Sequence, residues 1–125
     1  MKVIAFDLDG VICDRLQKDG SGIEKYHTCF PNNEVISVVN DLYDQGFFIK
    51  IYTARGMSTF SGDVSKVYSS LYNLTELQLT TWSVKYHELV MGKSHYDVLV
   101  DDRAIGYSGK ISKERIKMFL EIERT

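Results

Sequence analysis

The sequence of 125 residues has few of the features that mark secreted or membrane-spanning proteins. It contains two cysteines, Cys13 and Cys29, together with one proline and one tryptophan. Two cysteines are too few for a disulfide framework or a zinc site, so a reduced pair in a cytoplasmic protein is expected. No apolar run approaches the ~20 residues that cross a bilayer. Strand-like sequence begins directly at Lys2, so no signal peptide is predicted.

Neither sign of charge predominates, with 15 Lys and Arg against 17 Asp and Glu and a net charge of −2. This balance gives no electrostatic reason to expect a nucleic acid or an anionic membrane as a partner. The composition is 44% hydrophobic and 26% charged, which is ordinary for a folded globular protein. The length predicts a single domain over residues 1–125.

Apolar runs alternate with helical patterns along the chain. Strands are predicted at 2–6, 47–52, 86–91 and 97–100. Helices are predicted at 33–45, at 60–73, from Thr75 to about Trp82, and from Ser112 onward. This alternation predicts an α/β fold, a three-layer sandwich around a parallel sheet. Residues 14–30 have no reliable period and are predicted to form a hairpin or flap.

Each predicted strand ends in a chemically reactive group of residues. The first gives Asp7 and Asp9, the second Thr53 and Arg55, the third Lys93, and the fourth Asp101 and Asp102. Ligands of open parallel sheets bind beyond the carboxyl ends of the strands, so these residues are expected to converge. Carboxylates that crowd together raise one another's pKa unless a cation is present, and oxygen ligands favour Mg²⁺. Lysine and threonine complement a phosphoryl group.

Four short motifs carry a resemblance to a known family. Phe6-Asp7-Leu8-Asp9-Gly10-Val11 resembles the Asp-x-Asp-Gly motif of the haloacid dehalogenase (HAD) superfamily. The strand that ends at Thr53, the residue Lys93 and the pair Asp101-Asp102 are similar to its second, third and fourth motifs, in the same order. The resemblance implies a parallel Rossmann-like HAD core and a Mg²⁺-dependent phosphatase that forms an aspartyl-phosphate.

The resemblance also implies a role for each matching residue. Asp7 would be the nucleophile and a metal ligand, and Asp9 the general acid and base, with its backbone carbonyl as a second ligand. Thr53 would bind a phosphate oxygen, and Lys93 would neutralise the charge of Asp7 and the phosphate. Asp102 would be the further metal ligand, supported by Asp101. The residues expected to contact the substrate are Gly10, Ala54, Arg55, Arg103, Tyr26 and His27.

Two structural questions stay open in the sequence. Lys85 is the alternative to Lys93, although it precedes the third predicted strand and so lies at the wrong end. The intervals between the motifs are too short for an inserted cap, so a capless member is predicted. The 14–30 flap or a second subunit in a homo-oligomer would then cover the site.

The predicted substrate is a small phosphorylated molecule. The segment from Val84 to Asp97, with the Val-Leu-Val-Asp-Asp-Arg-Ala that follows, resembles small capless phosphatases encoded among surface-polysaccharide genes. That resemblance implies a sugar phosphate or polyol phosphate. The alternatives are a nucleotidase or phosphoprotein phosphatase of the same superfamily, and a receiver-like phosphoacceptor domain. The receiver alternative is disfavoured because its acid pair follows the first strand, whereas here the pair comes last.

Overall fold

A computed structural model describes residues 2–16 and 22–124 of the chain. Its strands are β1 (Val3–Phe6), β2 (Cys13–Arg15), β3 (Cys29–Pro31), β4 (Phe48–Thr53) and β5 (Glu88–Met91). Its helices are α1 (Glu24–His27), α2 (Asn33–Asp44), α3 (Val64–Thr81) and α4 (Lys113–Arg124). No helix of the described part is long and apolar enough to cross a membrane.

Three strands form a parallel sheet in the order β1-β4-β5. The register pairs Phe6 with Ile51 and Thr53 with Met91, so the carboxyl ends of the three strands lie side by side. One sheet face contributes Phe6, Ile49, Ile51 and Leu89 to the buried core, where α2 and α3 add their apolar residues. The chain is therefore a small α/β domain with a parallel sheet, and no cap is found among the described residues.

The predicted flap is a hairpin in its described part. Strands β2 and β3 pair antiparallel, with Asp14 opposite Phe30, and the short helix α1 precedes β3. Residues 17–21, which the prediction also included, lie outside the described residues. The hairpin follows β1 directly, so it stands beside the carboxyl end of the sheet.

The two helices predicted for 60–82 form one helix, α3, and the predicted break at Thr75 is wrong. The Thr75 hydroxyl donates a 2.8 Å hydrogen bond to the Leu71 carbonyl one turn earlier, as it does inside a helix. The true N-cap is Asp63, whose side chain accepts from the Lys66 N–H. The capping-box pattern of Thr75 occurs within a continuous helix.

The predicted fourth strand at 97–100 is also wrong for this structure. Residues 97–100 have no strand pairing, and Val98, Leu99 and Val100 are 78%, 51% and 95% exposed. Strands β1 and β5 are the two edges of the described sheet. Without that pairing, nothing removes these apolar side chains from water.

Candidate active site

Two of the predicted catalytic residues meet at the carboxyl ends of the sheet. The Lys93 Nζ lies 3.7 Å from the Asp7 Oδ2, and the Asp7 side chain is 41% exposed. Asp7 follows β1 and Lys93 follows β5, so residues 86 positions apart converge. Lys85 instead pairs with Asp44 of α2 at 2.8 Å. Of the two candidate lysines, the structure brings Lys93 to Asp7.

The surroundings of Asp7 and Lys93 shift the pKa of both residues. Burial raises the pKa of Asp7 above its ordinary value, although the charge of Lys93 and the Leu8 N–H act in the opposite direction. The Leu8 N–H donates to the Asp7 Oδ1 at 2.8 Å and so fixes the carboxylate plane. Burial alone would lower the pKa of Lys93, but the Tyr96 hydroxyl and the charge of Asp7 outweigh it and raise the value.

Thr53 lies at the end of β4, between the strands that carry Asp7 and Lys93. Its side chain is buried, and its Oγ1 accepts a 3.0 Å hydrogen bond from the Arg55 N–H. Its carbonyl accepts from the Lys93 N–H at 3.1 Å, which ties the β4 and β5 ends together. A hydroxyl that accepts one bond still has its own proton to donate.

Asp9 is held by Arg55 in a two-point ion pair. Arg55 Nε donates to Asp9 Oδ2 at 2.9 Å, and Nη2 donates to Oδ1 at 2.8 Å. The side chain of Arg55 is fully buried and that of Asp9 is 16% exposed. Burial would lower the pKa of Arg55, but its bonds to Asp9 and the charge of that carboxylate raise it.

The other contacts of Arg55 are all within the protein. Its Nη1 donates to Thr75 Oγ1 at 3.1 Å and to Gln78 Oε1 at 2.6 Å, both on α3. The Tyr26 ring lies 4.9 Å from the guanidinium carbon, and the Tyr26 hydroxyl accepts from the Gly56 N–H at 3.0 Å. The prediction that Arg55 contacts substrate is therefore corrected, because its donors are used inside the protein.

Tyr26 also differs from its predicted position. It is 5% exposed and supports Arg55, so it does not face an open substrate space. His27, the next residue, is exposed. Gly10 is exposed with φ +89°, and its N–H donates a 2.7 Å hydrogen bond to the Cys13 carbonyl. Ala54 is half-buried beside Thr53, and its carbonyl accepts from Met57 at 2.9 Å.

The predicted metal ligands are not brought together. Asp101 and Asp102 are exposed on the unpaired segment, and Asp101 Oδ1 accepts from the Arg103 N–H at 2.7 Å. Arg103, a predicted substrate contact, is exposed there too. Within the described residues, no three of the carboxylates of Asp7, Asp9, Asp101 and Asp102 place ligand atoms within 4.8 Å of one another. The donors are those Mg²⁺ prefers, but this arrangement does not form its site.

A cluster that the sequence did not predict adjoins Asp9. Cys13 and Cys29 are free thiols that donate to Asp9 Oδ1 at 3.5 Å and 3.7 Å. A hydrogen bond from the Cys13 thiol lowers the pKa of Cys29, and the same contact, together with burial, raises that of Cys13. The signal available in the sequence was weak: two cysteines, one at each end of the predicted flap.

Comparison with known proteins finds a similar solved structure. No protein-family model and no curated protein matches the chain. The crystal structure of a structural-genomics target from Vibrio cholerae is similar, with a TM-score of 0.81 and 30% identity. The match covers 98% of this chain and 99% of the other. The two proteins therefore belong to one family of small α/β domains, and the name of that structure states no activity.

Proposed function

We propose that the chain is a phosphomonoester hydrolase of the HAD type, with Asp7 as its nucleophile. The observation that carries the proposal is the pair formed by an accessible Asp7 carboxylate and the Lys93 ammonium, 3.7 Å apart at adjacent strand ends. A carboxylate can attack phosphorus, and a lysine beside it can hold the phosphate oxygens. The proposal includes a Rossmann-like HAD core, to which the three parallel strands described would belong.

The proposed reaction has two displacements. An Asp7 oxygen attacks phosphorus while the bond to the ester oxygen breaks, and Asp9 supplies the proton that turns the leaving alkoxide into an alcohol. Asp9 then takes a proton from water as the water attacks phosphorus, which frees Asp7 and releases phosphate. Lys93 balances the charge of the phosphoryl group throughout, and the Thr53 hydroxyl has a proton to donate to one phosphate oxygen.

The ion pair with Arg55 bears directly on the role of Asp9. Each carboxylate oxygen has two lone pairs, so Asp9 can bind Arg55 and still exchange a proton with a ligand. The guanidinium fixes the orientation of the carboxylate through two hydrogen bonds. Asp9 is therefore a positioned base, and its turn as an acid requires that the bonds to Arg55 loosen.

We also propose that Mg²⁺ is required. The proposed ligands are the Asp7 carboxylate, the Asp9 backbone carbonyl and Asp102, supported by Asp101, and the ion would supply charge neutralisation for the phosphoryl group. Because Asp101 and Asp102 lie on an exposed, unpaired segment, this binding requires that segment to move.

The proposed substrate is a sugar phosphate or polyol phosphate of surface-polysaccharide biosynthesis. A nucleotide or a phosphoprotein would use the same phosphate site, so the distinction depends on residues around the organic group. Exposed His27 on the hairpin is the proposed contact. The proposed setting is the cytoplasm, where free thiols such as Cys13 and Cys29 persist. A second copy of the chain would cover the open site in place of a cap domain.

A receiver-like phosphoacceptor is the second candidate, and the Arg55–Asp9 ion pair favours it. If the ion pair with Arg55 keeps Asp9 from taking the proton of the attacking water, a phosphorylated Asp7 would persist. The two candidates differ in turnover, because a hydrolase releases many phosphates per chain and an acceptor keeps one.

The test is hydrolysis of an aryl phosphate by the purified protein with Mg²⁺. We expect multiple turnovers that a chelator abolishes, and no turnover by Asp7→Asn, whose amide cannot attack phosphorus. Lys85→Gln is the matched control, because Lys85 is remote from Asp7 and should leave the rate unchanged. Activity that survives Asp7→Asn would refute the nucleophile. A stable phosphoprotein formed from a small phosphodonor, without turnover, would support the acceptor.

A further inference from the structure

Cys13 and Cys29 are close together and lie against the carboxylate proposed for proton transfer. Their sulfurs and an Asp9 carboxylate oxygen all lie within 4.8 Å of one another. The hairpin register pairs Cys13 with Pro31 and Arg15 with Cys29, so the two cysteines are diagonal neighbours on one face of the ladder. They are 16 positions apart in the sequence, and the fold brings them together.

The surroundings of the two sulfurs are charged and polar. Arg55 Nη2 donates to the Cys29 sulfur at 3.6 Å and to the Cys13 sulfur at 3.8 Å. The Asp9 carboxylate contacts the same two sulfurs and opposes the charge of Arg55, so the proximity of the sulfurs and the partial exposure of Cys29 are what distinguish this pair from inert cysteines of an apolar core. A guanidinium that points at both sulfurs also opposes a metal cation at the same place. The arrangement thus favours oxidation over metal binding.

The two cysteines differ in access from solvent. Cys13 is fully buried, whereas Cys29 is half-buried at the start of β3. A small oxidant can therefore reach Cys29 first, and Cys13 is placed to react with the product. This is the arrangement of a peroxide-sensitive cysteine with a resolving partner.

We propose that Cys13 and Cys29 form a reversible oxidation site that controls the position of Asp9. The Cys29 sulfur attacks a hydroperoxide, the O–O bond breaks, and the thiol proton leaves with the departing oxygen, which gives a sulfenic acid and water or an alcohol. The Cys13 sulfur then attacks the sulfenic sulfur, the S–O bond breaks, and water and a disulfide form. Two electrons pass from the thiols to the peroxide.

The disulfide would alter the site in two ways. It removes both S–H donors from Asp9 Oδ1, and it draws β3 toward β2, because diagonal neighbours stand farther apart than a relaxed disulfide allows. Tyr26 precedes β3 by three residues and packs on Arg55, so the movement reaches the guanidinium that holds Asp9. A strained disulfide of this kind is readily reduced. The expected loss of hydrolysis rests on the proposed function.

The test treats the purified protein with hydrogen peroxide and measures intact mass, which does not depend on activity. We expect a monomer lighter by two hydrogens, a Cys13–Cys29 linkage in the peptide map, and recovery with a dithiol. Cys13→Ser should stop at a sulfenic acid on Cys29 that dimedone traps. Cys29→Ser should react at least about tenfold more slowly, because Cys13 is buried.

The outcomes separate this inference from the proposed function. Disulfides formed only between molecules, or faster oxidation of Cys13 than of Cys29, would overturn the oxidation site. A wild-type chain that keeps its mass would do the same, and this readout needs no variant to fold. If the disulfide forms and the reduced protein has no phosphatase activity, the site stands and the proposed function fails. If the oxidised protein hydrolyses phosphate as fast as the reduced protein, control of Asp9 is refuted.

Discussion

Replacing Arg55 with alanine should destabilise the protein far more than removing an ordinary surface charge. Arg55 is fully buried and binds Asp9 at two points, so its loss leaves a largely enclosed carboxylate without a cationic partner. Breaking a buried ion pair in this way costs about 3–5 kcal/mol. Gln78 also loses the 2.6 Å bond to its buried oxygen. The 16% exposure of Asp9 lets water reach it and favours the lower end of that range.

The chain provides a matched control for this prediction. Lys85 and Asp44 form an ion pair of the same 2.8 Å length, but their side chains are 48% and 56% exposed. Lys85→Ala should therefore cost no more than about 1 kcal/mol, because solvent already screens the pair. Urea unfolding followed by the fluorescence of Trp82, the single tryptophan, measures both variants.

Two further variants isolate the ion pair from the volume of the side chain. Arg55→Met keeps most of that volume and should still lose about 3 kcal/mol, because the charge of Asp9 stays unpaired. Combining Arg55→Met with Asp9→Asn should restore at least about 1 kcal/mol, the coupling expected for residues in contact. If Arg55→Ala is as mild as Lys85→Ala, or the double variant shows no coupling, the argument from burial is wrong.

Three other predictions follow from the site and the loop after β4. Asp9→Asn should slow the hydrolysis of alkyl phosphates by on the order of 10²–10⁴-fold but that of aryl phosphates much less, since a good leaving group needs no proton. Equal losses of rate on the two substrates would refute the role of Asp9 as an acid. Tyr26→Ala should slow the hydrolysis of every substrate, because Tyr26 packs on Arg55, whereas His27→Ala should raise KM only for the natural ester. Kinetics on a panel of substrates measures both effects, and identical profiles of the two variants would contradict these placements. Gly56→Ala should lower the free energy of unfolding in urea by about 1–3 kcal/mol more than Gly62→Ala does. Both glycines have positive φ, but only at position 56 would a Cβ lie 2.5 Å from the Leu71 side chain. Equal losses of stability would disprove the clash.

The sequence predicted best those elements whose local signals and tertiary packing agree. Helix α2 has a regular apolar face, an Asn32 side chain that accepts from the Val35 N–H, and Gly46 at φ +96° just past its end. Strand β4 is mostly apolar, and its Ile49 and Ile51, on either side of Lys50, are fully buried. Local patterns of this kind depend on few distant residues, which is why the prediction of both elements is confirmed.

The position of Arg55 could not be predicted in the same way, because its partner Asp9 is 46 residues away. Next to a strand end, an arginine that binds substrate and an arginine that binds a carboxylate have the same local sequence. The usable signal was on α3, where Thr75 and Gln78 stand three residues apart among buried Leu71 and Leu79. Polar residues on a buried helix face need partners, so they indicate an enclosed polar group.

The segment after β5 is a place where the hydrophobic pattern of the sequence did not predict the structure. Val98, Leu99 and Val100 have the composition of a buried strand, yet they are exposed here and β1 keeps an unpaired edge. Burying one such side chain is worth about 1.5–3 kcal/mol, so leaving three in water is unfavourable. An edge strand with free N–H and C=O groups is a template for another strand. The segment and the edge are therefore complementary in both apolar surface and hydrogen bonding.

Mg²⁺ should draw this segment onto β1, because pairing with the strand that precedes Asp7 would bring Asp101 and Asp102 toward that residue. Hydrogen exchange of the amides from 98 to 102 measures the pairing without any substrate. We expect Mg²⁺ to slow their exchange at least about tenfold, equivalent to roughly 1.4 kcal/mol of local stabilisation, and to do nothing in Asp102→Asn. Residues of α2, already protected, serve as the internal control. If Mg²⁺ supports turnover but leaves this exchange unchanged, Asp102 is not its ligand. The ion would then be held by Asp7 and Asp9 with groups outside the 97–102 segment.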